Sequence, residues 1–371
     1  MIIENVMRSM KNLLVVILFS FLNVIVYTQR GYGQPQKLDG GWHISDLLLQ
    51  KFDSSKIKNL FNQLREGNHE IHSIVVVKND EIIIEEYFDN NKVNTTHDLR
   101  SVTKSITSVL TGIAIKEGFI DHIDDPVSKY VKQPVPQKNR DERKSDITIR
   151  HLLTMSTGLD CNDWDKSSKG REDKVYRKSD WLQYFMNLPM INAPGTVSNY
   201  CTMAQVMVVE VISRSSGMSI DKFAKEYLFD PLQIKNVRWG HTSDENVISA
   251  AKRLYMTSRD MAKIGQLVIN NGRWDGEQIV SEAWIEESTT AKTKIAGIDY
   301  GFLWWNLPFH INEHITVSKV ATGNGGQYIF IFPEFNMVAV FTGGAYNSSD
   351  DKLPFAIVQD VLLPTFAIGN K

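Results

Sequence analysis

The 371-residue chain is poor in cysteine, with only Cys161 and Cys201. Two thiols cannot build a disulfide-dense scaffold or a four-thiolate zinc site, and they allow one bridge at most. The chain also lacks an excess of charge of either sign, because 41 lysines and arginines face 43 aspartates and glutamates. Without a basic field, we expect no nucleic acid among its partners.

Long hydrophobic runs are equally scarce, and the one exception lies near the start of the chain. Arg8 and Lys11 precede an apolar run from Leu13 to Tyr27, which is shorter than the roughly 20 residues that span a bilayer core. The pattern predicts a signal peptide over residues 1–33, with cleavage after Gly33. An uncleaved N-terminal anchor is the alternative, and it would be the only contact with a membrane. Both interpretations place the folded part outside the cytoplasm, either periplasmic or secreted.

The rest of the chain has the composition of a globular protein, with 42% hydrophobic and 23% charged residues. Two β-rich runs, Ile74–Val77 and Ile82–Ile84, flank Asn79-Asp80, and this order predicts a hairpin. Apolar residues then recur every three or four positions from Lys104 onward, which predicts a helix that ends at Gly118. A strand pair is therefore expected to lead into a helix.

Further helices are expected in the middle of the chain and further strands near its end. The helices are Ile149–Met155, Ser179–Asn187, Met203–Arg214, Ile220–Tyr227 and Ser258–Ile269, and the strands are Phe302–Leu307, Ile315–Val320, Gln327–Phe332 and Met337–Thr342, before a closing helix from about Pro354. These elements favour an α/β fold of the α+β type, in which one antiparallel sheet from both ends of the chain is covered by helices. Residues 34–70 would form an N-terminal linker and helix. Residues 71–371 would form the main domain, with a mostly helical lobe inserted at about 125–271 and a cleft between the lobes as the expected site.

Ser101 and Lys104 are the first candidate site residues. Three residues apart at a helix start, they share one helical face, and a buried lysine can take the proton of a serine hydroxyl and so make it a nucleophile. The same spacing also occurs at Ser55, Ser219 and Ser349, so the spacing alone decides nothing. Only Ser101 lies between a strand-rich segment and a long helix with one apolar stripe.

Two further segments carry polar residues at turns. Tyr200 ends the turn that begins at Pro194 and precedes a predicted helix, where a tyrosine near a lysine can pass a proton to a leaving group. A glycine-rich segment, Ala321–Gln327, runs into the last predicted hairpin. Glycines there would let the backbone of a substrate approach a strand edge closely.

In this order, the three clusters resemble the signature motifs of the serine hydrolases related to β-lactamases and DD-peptidases. The resemblance extends over roughly residues 73–344. It includes Leu99–Ser105, Ile149–Met155, Pro194–Thr196, Tyr300–Trp305 and Gly325–Gln327. The chain looks closest to the branch of esterases and 6-aminohexanoate-dimer hydrolases, and the fold that this implies is the β-lactamase/transpeptidase-like sheet with a helical lobe.

The resemblance implies a mechanism with no cofactor and no metal. Ser101 would be the acylated nucleophile, Lys104 its general base and Tyr200 the acid/base partner. The oxyanion would lie between the backbone N–H groups of Ser101 and Asn324. The expected partner is a small ester or amide substrate, which would also contact Thr202, Thr322, Gly323 and Gly325.

Two departures from the family pattern bear on the substrate. Thr202 replaces a frequent asparagine, and Ala321 replaces the lysine that helps penicillin-recognising members bind a carboxylate. β-Lactamase or carboxypeptidase activity is therefore less expected than ester or amide hydrolysis. Trp304 and Trp305 could line an apolar pocket, although strand alternation turns only one of them toward it. The same departures keep a second hypothesis open, a catalytically weak member used as a binding or sensing module.

Two other features remain open or are set aside. Cys161 lies on a loop that lies close to the site in the resembling family, and Cys201 follows Tyr200, so either a bridge between them or two buried free thiols fits the sequence. The segment His310-Ile311-Asn312-Glu313-His314 matches an inverted zinc-protease pattern. Zinc binding would need both histidines on one helical face, whereas the flanking residues predict a loop between strands.

Overall fold

A large sheet, antiparallel at all but one of its pairings, organises the computed structural model, which describes residues 32–38, 40–47, 52, 54–241 and 251–366. In chain order the strands are β1 (His43–Ile44), β2 (Ile71–Lys78), β3 (Glu81–Tyr87), β4 (His97–Asp98), β5 (Arg238–His241), β6 (Ala251–Met256), β7 (Arg273–Trp274), β8 (Glu277–Gln278), β9 (Thr293–Ile295), β10 (Ile298–Tyr300), β11 (Trp305–Ile311), β12 (His314–Gly323), β13 (Gln327–Phe332) and β14 (Met337–Gly343). The large sheet has the order β1-β3-β2-β14-β13-β12-β11-β10-β9, with only β1 and β3 parallel.

Twelve α-helices are present within the described residues. They are α1 (Ser55–Glu66), α2 (Val102–Lys116), α3 (Val127–Tyr130), α4 (Ile149–Leu153), α5 (Glu172–Val175), α6 (Trp181–Met186), α7 (Thr202–Ser216), α8 (Ile220–Ala224), α9 (Ser258–Ile269), α10 (Glu282–Thr289), α11 (Leu353–Ile357) and α12 (Leu363–Phe366). Short π-helical turns extend α8 over Lys225–Phe229 and join α11 to α12 over Val358–Leu362. Within the described residues, no helix is both long and apolar enough to cross a membrane.

The sheet joins the two ends of the chain, as expected. β2 pairs with β14, so that Val75 lies opposite Val340. The residues of β2 from Ile74 to Val77 have no exposed surface, which means that both faces of this strand are covered, because successive side chains point to opposite faces. The predicted turn Asn79-Asp80 closes the β2–β3 hairpin with both residues at positive φ, the geometry that favours asparagine and aspartate.

Three details differ from the sequence-based expectations. The strand expected at Phe302–Leu307 begins at Trp305 instead. A small sheet in the order β4-β6-β5 has two strands, β5 and β6, inside the region expected to be mostly helical. Helix α9 has the predicted bounds, but it packs against β2, β13 and β14 of the large sheet, although its residues were assigned to the helical lobe. These differences come from long-range pairing and packing, which local periodicity does not encode.

The His-x-x-Glu-His segment is a β-hairpin. His310 lies on β11 and His314 on β12, and Ile311 pairs with His314 across a two-residue turn. The two histidines therefore do not share a helical face, and the loop expected between strands is confirmed.

Most of the predicted leader lies outside the described residues, but its last two residues are described. Tyr32 is 1% exposed and packs on Phe61 of α1, with 6.1 Å between ring centroids. The N–H of Gly33 donates to the carboxylate of Glu86. Cleavage after Gly33 would therefore remove a buried side chain from the fold. The boundaries of the leader, the linker and the helical lobe stay predictions.

Candidate active site

Ser101 immediately precedes α2, one of the most buried helices of the fold. Every residue of α2 from Val102 to Ala114 is buried, and only 3% of Lys104 is exposed. Lys104 Nζ lies 3.0 Å from Ser101 Oγ. The pairing predicted from the spacing is present, because three residues advance the chain by nearly one helical turn.

Lys104 has two further neighbours from the start of α7. Its Nζ lies 3.0 Å from Thr202 Oγ1 and 4.9 Å from the centroid of the Tyr200 ring. The ammonium form of a lysine at that distance from an aromatic face gains a cation–π attraction. Residues 101, 104, 200 and 202 are thus brought together, with the lysine at their centre.

Asp163 is a site residue that the sequence analysis missed. Its carboxylate accepts hydrogen bonds from the backbone N–H groups of Thr202, at 2.7 Å, and Glu172, at 2.8 Å. Its own N–H donates to the carbonyl oxygen of Tyr200 at 2.7 Å. Burial raises the pKa of Asp163, while the charge of Lys104 and hydrogen bonds from Thr202 oppose that rise. The available sequence signal was an acidic residue two positions after a cysteine, which is too common to single out.

A disulfide ties the Asp163 loop to the Tyr200 segment. Cys161 and Cys201 are bonded, with their Cα atoms 5.4 Å apart. Of the two states left open by the sequence, the structure has the bridge. The disulfide and the hydrogen bonds of Asp163 together hold residues 161–163 against residues 200–202.

The two adjacent tryptophans have different surroundings, and only Trp305 belongs to β11. Trp305 packs against Tyr200, with ring centroids 5.8 Å apart and planes 20° apart. Trp304 has no exposed surface, which speaks against its predicted contact with a substrate. Another aromatic residue, Trp164, stacks on both Tyr200 and Trp305, at 5.0 Å and 6.1 Å, and the sequence analysis did not identify it.

The glycines near the end of β12 make room for protein atoms. A Cβ atom on Gly323 would lie 2.3 Å from the carbonyl oxygen of Leu99, and one on Gly325 would lie 2.5 Å from the Tyr346 ring. Both glycines are buried. The close approach that was predicted for a substrate is therefore made by the protein itself: the segment before Ser101 lies against Gly323, and Tyr346 lies against Gly325. Thr322 on β12 is partly exposed.

Ser101 and Asn324, the residues of the two predicted oxyanion donors, line a common cavity of about 180 Å³ together with Lys104. Within the described part of the chain, the backbone N–H groups of Ser101 and Asn324 donate to no other residue. The Asn324 side chain is turned away toward Asn347, with Nδ2 donating to Oδ1 at 2.8 Å. An oxyanion is stabilised by N–H groups that have no other acceptor, and the role of these two groups stays a prediction.

Charged side chains from three parts of the chain complete the cavity wall. Arg100 and Arg253 line it together with Glu172. Both arginines also pair with Asp98, at 3.3 Å and 3.0 Å. Ala321 offers no charge where related proteins have a lysine. The fold instead brings two cationic side chains to the cavity, Arg253 from β6 and Arg100 from the position before Ser101.

Comparisons with known proteins show the family and the fold of the chain. A family model described as Beta-lactamase matches residues 57–361. The chain is 22% identical over 290 residues to the 6-aminohexanoate-dimer hydrolase of Paenarthrobacter ureafaciens, covering 72% of this chain and 71% of that protein. Among solved structures, a putative 6-aminohexanoate-dimer hydrolase from Bacillus anthracis has a TM-score of 0.67 at 19% identity, covering 89% of this chain and 88% of the other. A class C β-lactamase has a TM-score of 0.62 at 17% identity, covering 82% and 95%.

Proposed function

Because the chain belongs to the β-lactamase family, whose characterised relatives are serine hydrolases, we propose that it hydrolyses a small ester or amide through an acyl-enzyme intermediate, with Ser101 as the nucleophile. The observation that carries this proposal is the 3.0 Å contact between Ser101 Oγ and the buried Lys104 Nζ. A hydroxyl held against a buried amine at a helix start can lose its proton as it attacks. The helix N-terminus also favours the negative charge that develops beside it.

In the proposed reaction, Lys104 accepts the hydroxyl proton while Ser101 Oγ attacks the carbonyl carbon of the substrate. The N–H groups of Ser101 and Asn324 stabilise the resulting oxyanion. Collapse of this tetrahedral intermediate breaks the bond to the alcohol or amine and leaves an ester on Ser101. Water then attacks the ester, Ser101 regains a proton, and the acid is released. All of these steps use side chains and backbone N–H groups of the chain itself.

Tyr200 is assigned the proton transfer to the leaving group. Its ring lies 4.9 Å from Lys104 Nζ, which places the tyrosine beside the amine, and a tyrosine in that position can act as a general acid. The disulfide at Cys201 and the hydrogen bond from Asp163 to the Tyr200 carbonyl support its position.

The aromatic surface beside Tyr200 favours a substrate with an apolar acyl, alcohol or amine group. Trp164 and Trp305 provide that surface. One relative is named for cleavage of the 6-aminohexanoate dimer, so an amide substrate is included in the proposal. The leader-like N-terminal sequence supports action outside the cytoplasm.

A fluorophosphonate probe tests the nucleophile. It should label the wild type and not Ser101→Ala, and Ser101→Ala should also lose activity toward p-nitrophenyl esters. Ser349→Ala is the matched control, because Ser349 has the same spacing to a lysine but lies on the exposed surface. Nitrocefin and a D-Ala-D-Ala peptide, assayed beside the esters, separate lactamase and peptidase activity from esterase activity. If the wild type takes up no probe and turns over no substrate in the panel, the proposal fails, and a binding or sensing module is favoured.

A further inference from the structure

We propose that Tyr346, which lies under the guanidinium of Arg100 and is linked to Asn324 through Asn347, is a positioning residue that fixes the spacing of the two oxyanion donors. This inference rests on the proposed function of Ser101 and on the donor roles predicted for the backbone N–H groups of Ser101 and Asn324. Tyr346 acts through these groups and needs no contact with the substrate.

The two donors belong to segments that are far apart in the sequence. Ser101 directly precedes α2, whereas Asn324 lies in the turn between β12 and β13. An oxyanion is stabilised only if both N–H groups lie within hydrogen-bonding distance of the same point. A contact that joins the two segments beside the cavity would therefore set the geometry of the oxyanion site.

Arg100, the residue before Ser101, has an uncommon backbone conformation. Its φ is +50°, in the left-handed region that a residue with a side chain adopts only where its neighbours hold it. Asp98 supplies part of that support: the Arg100 N–H donates to Asp98 Oδ1 at 3.1 Å, and Arg100 Nε lies 3.3 Å from Asp98 Oδ2. Because Ser101 is next in the chain, the conformation of Arg100 determines where the Ser101 N–H points.

Tyr346 connects Arg100 to the turn that carries the second donor. The Cζ atom of Arg100 lies 4.7 Å from the centroid of the Tyr346 ring, within the range of a cation–π attraction. The other side of the contact is Gly325, where a Cβ atom would lie 2.5 Å from the ring. Gly325 also pairs with Ala345 in an isolated β-bridge. The ring is thus packed between Arg100 and the residue that follows Asn324.

Asn347 attaches the same segment to the side chain of Asn324. Asn324 Nδ2 donates to Asn347 Oδ1 at 2.8 Å, and the Asn347 N–H donates to Asn324 Oδ1 at 2.9 Å. Among the described residues, neither Tyr346 nor Asn347 lines the catalytic cavity. The path from Arg100 to Asn324 therefore runs behind the cavity wall, where it can position the donors without touching a ligand.

Tyr346→Ala tests this connection. It should lower kcat toward p-nitrophenyl acetate by about tenfold, less than the 10²–10³-fold loss that removal of a whole oxyanion donor causes, with little change in KM. Both acylation and deacylation pass through an oxyanion, so kcat should fall whichever step limits it. Asn347→Ala breaks the other link and should act in the same way. Tyr346→Phe keeps the ring and should keep the wild-type rate.

Inhibition by phenylboronic acid separates positioning from a general loss of structure. The boron accepts an electron pair from Ser101 Oγ, the hydroxyl proton passes to Lys104, and one boron oxygen takes the place of the oxyanion. Such an analogue depends on the same interactions as the transition state. Its Ki should therefore rise in Tyr346→Ala by about the factor by which kcat falls. A smaller folded fraction would lower the rate but leave the Ki of the remaining sites unchanged.

A double-mutant cycle tests the contact between Arg100 and Tyr346 itself. Arg100→Met removes the charge, and its effect on kcat should be smaller in the Tyr346→Ala background than in the wild type. Lys178→Met is the matched control, because Lys178 Nζ lies 5.1 Å from the Tyr184 ring at an exposed position that does not line the cavity. This control should keep the wild-type kcat and Ki.

Three outcomes would overturn the inference: a wild-type kcat in Tyr346→Ala, a lowered kcat with an unchanged Ki, or losses that multiply in full in the double variant. Each of them would leave the proposed function intact, because turnover by the wild type and its loss in Ser101→Ala test that function separately.

Discussion

Trp164 lies nearly flat against Tyr200, with ring centroids 5.0 Å apart and planes 7° apart, although 55% of Trp164 is exposed. A single exposed apolar side chain is ordinary on a protein surface. This one is held in place, because the preceding residue, Asp163, is fixed by three hydrogen bonds.

Trp164→Ala is therefore expected to change the preference for acyl length. The loss in kcat/KM should be small for p-nitrophenyl acetate and should grow by up to about tenfold for longer esters, since one or two buried methylene groups contribute about 0.8 kcal/mol each. A series of esters from two to eight carbons measures this dependence. Trp304→Phe, in the buried core, is a control that should show no trend with length. An equal loss for every ester in Trp164→Ala would contradict the assignment.

Lys104→Ala should abolish turnover nearly as completely as Ser101→Ala. The expected loss in kcat is about 10³-fold, within the range that general base catalysis contributes. The double variant should be no worse than either single variant, because the two residues act as one unit. Steady-state kinetics with a p-nitrophenyl ester provide the measurement, and Lys116→Ala, an exposed change on the same helix, provides the control. Retention of most of the rate by Lys104→Ala would show that another group is the base.

Acidification should remove the contribution that His97 makes to the free energy of unfolding. Burial lowers the pKa of His97 from 6.5 to about 4, and the adjacent His72 contributes. Between these values the unfolded chain binds a proton that the folded chain resists. Stability is therefore lost as the pH falls from about 6.5 to about 4, by roughly 3 kcal/mol in total at about 1.4 kcal/mol per pKa unit.

Denaturant titrations of the wild type and of His97→Asn at several pH values isolate this contribution. The comparison is needed because Glu86 acts in the opposite sense: burial raises its pKa to about 7, so protonation of Glu86 favours the folded state between pH 7 and 4.5. The variant should lose less stability than the wild type on acidification. Parallel curves would rule out His97 as the cause.

The start of the folded chain should lie at or before Tyr32. A chain beginning at Gln34 lacks the buried Tyr32 ring and the Gly33 N–H that bonds Glu86. We expect it to be less stable than a chain beginning at Tyr32 by about 2 kcal/mol, the usual value for burying an aromatic side chain. Thermal melts of the two chains test this difference, and N-terminal sequencing of the protein isolated from cells shows whether and where it is cleaved. Equal melting temperatures would mean that cleavage after Gly33 costs no stability.

The bond between Cys161 and Cys201 should stabilise both the fold and the site. It closes a 40-residue separation, for which chain entropy gives up to about 4 kcal/mol. The double variant Cys161→Ser/Cys201→Ser should melt at a lower temperature and should lose activity as Tyr200 becomes less constrained. Mass spectrometry with and without a reductant verifies the bond in the wild type. An unchanged melting temperature in the double variant would show that the hydrogen bonds of Asp163 are sufficient.

Features that depend on neighbours in the chain could be predicted from the sequence. The β2–β3 turn follows from Asn79-Asp80, because these residues tolerate positive φ. The contact between Ser101 and Lys104 follows from the helical repeat, which brings residues three apart onto one face. The sequence also indicated that only one of Trp304 and Trp305 would face the site, but it did not say which of them would pack on Tyr200.

Features that join distant parts of the chain could not be predicted in this way. Thr202 is 98 residues from Lys104, and Asp163 is 39 residues from Thr202. Their contacts arise because α2, α7 and the disulfide-linked loop pack around one point. The same is true of Arg253, which reaches the cavity only because β6 pairs with β4 just before Ser101.

The amino-acid sequence by itself determined the family, the strand pair at the start, the helix that follows Ser101 and the spacing of serine and lysine, because each is encoded in a short run of residues. The tertiary structure alone decided which groups surround that pair: Asp163 and Thr202 on one side, Trp164 and Trp305 on another, and the two arginines at the cavity wall. A local pattern specifies backbone conformation within a few residues, whereas the environment of a buried amine depends on packing between elements far apart in the chain.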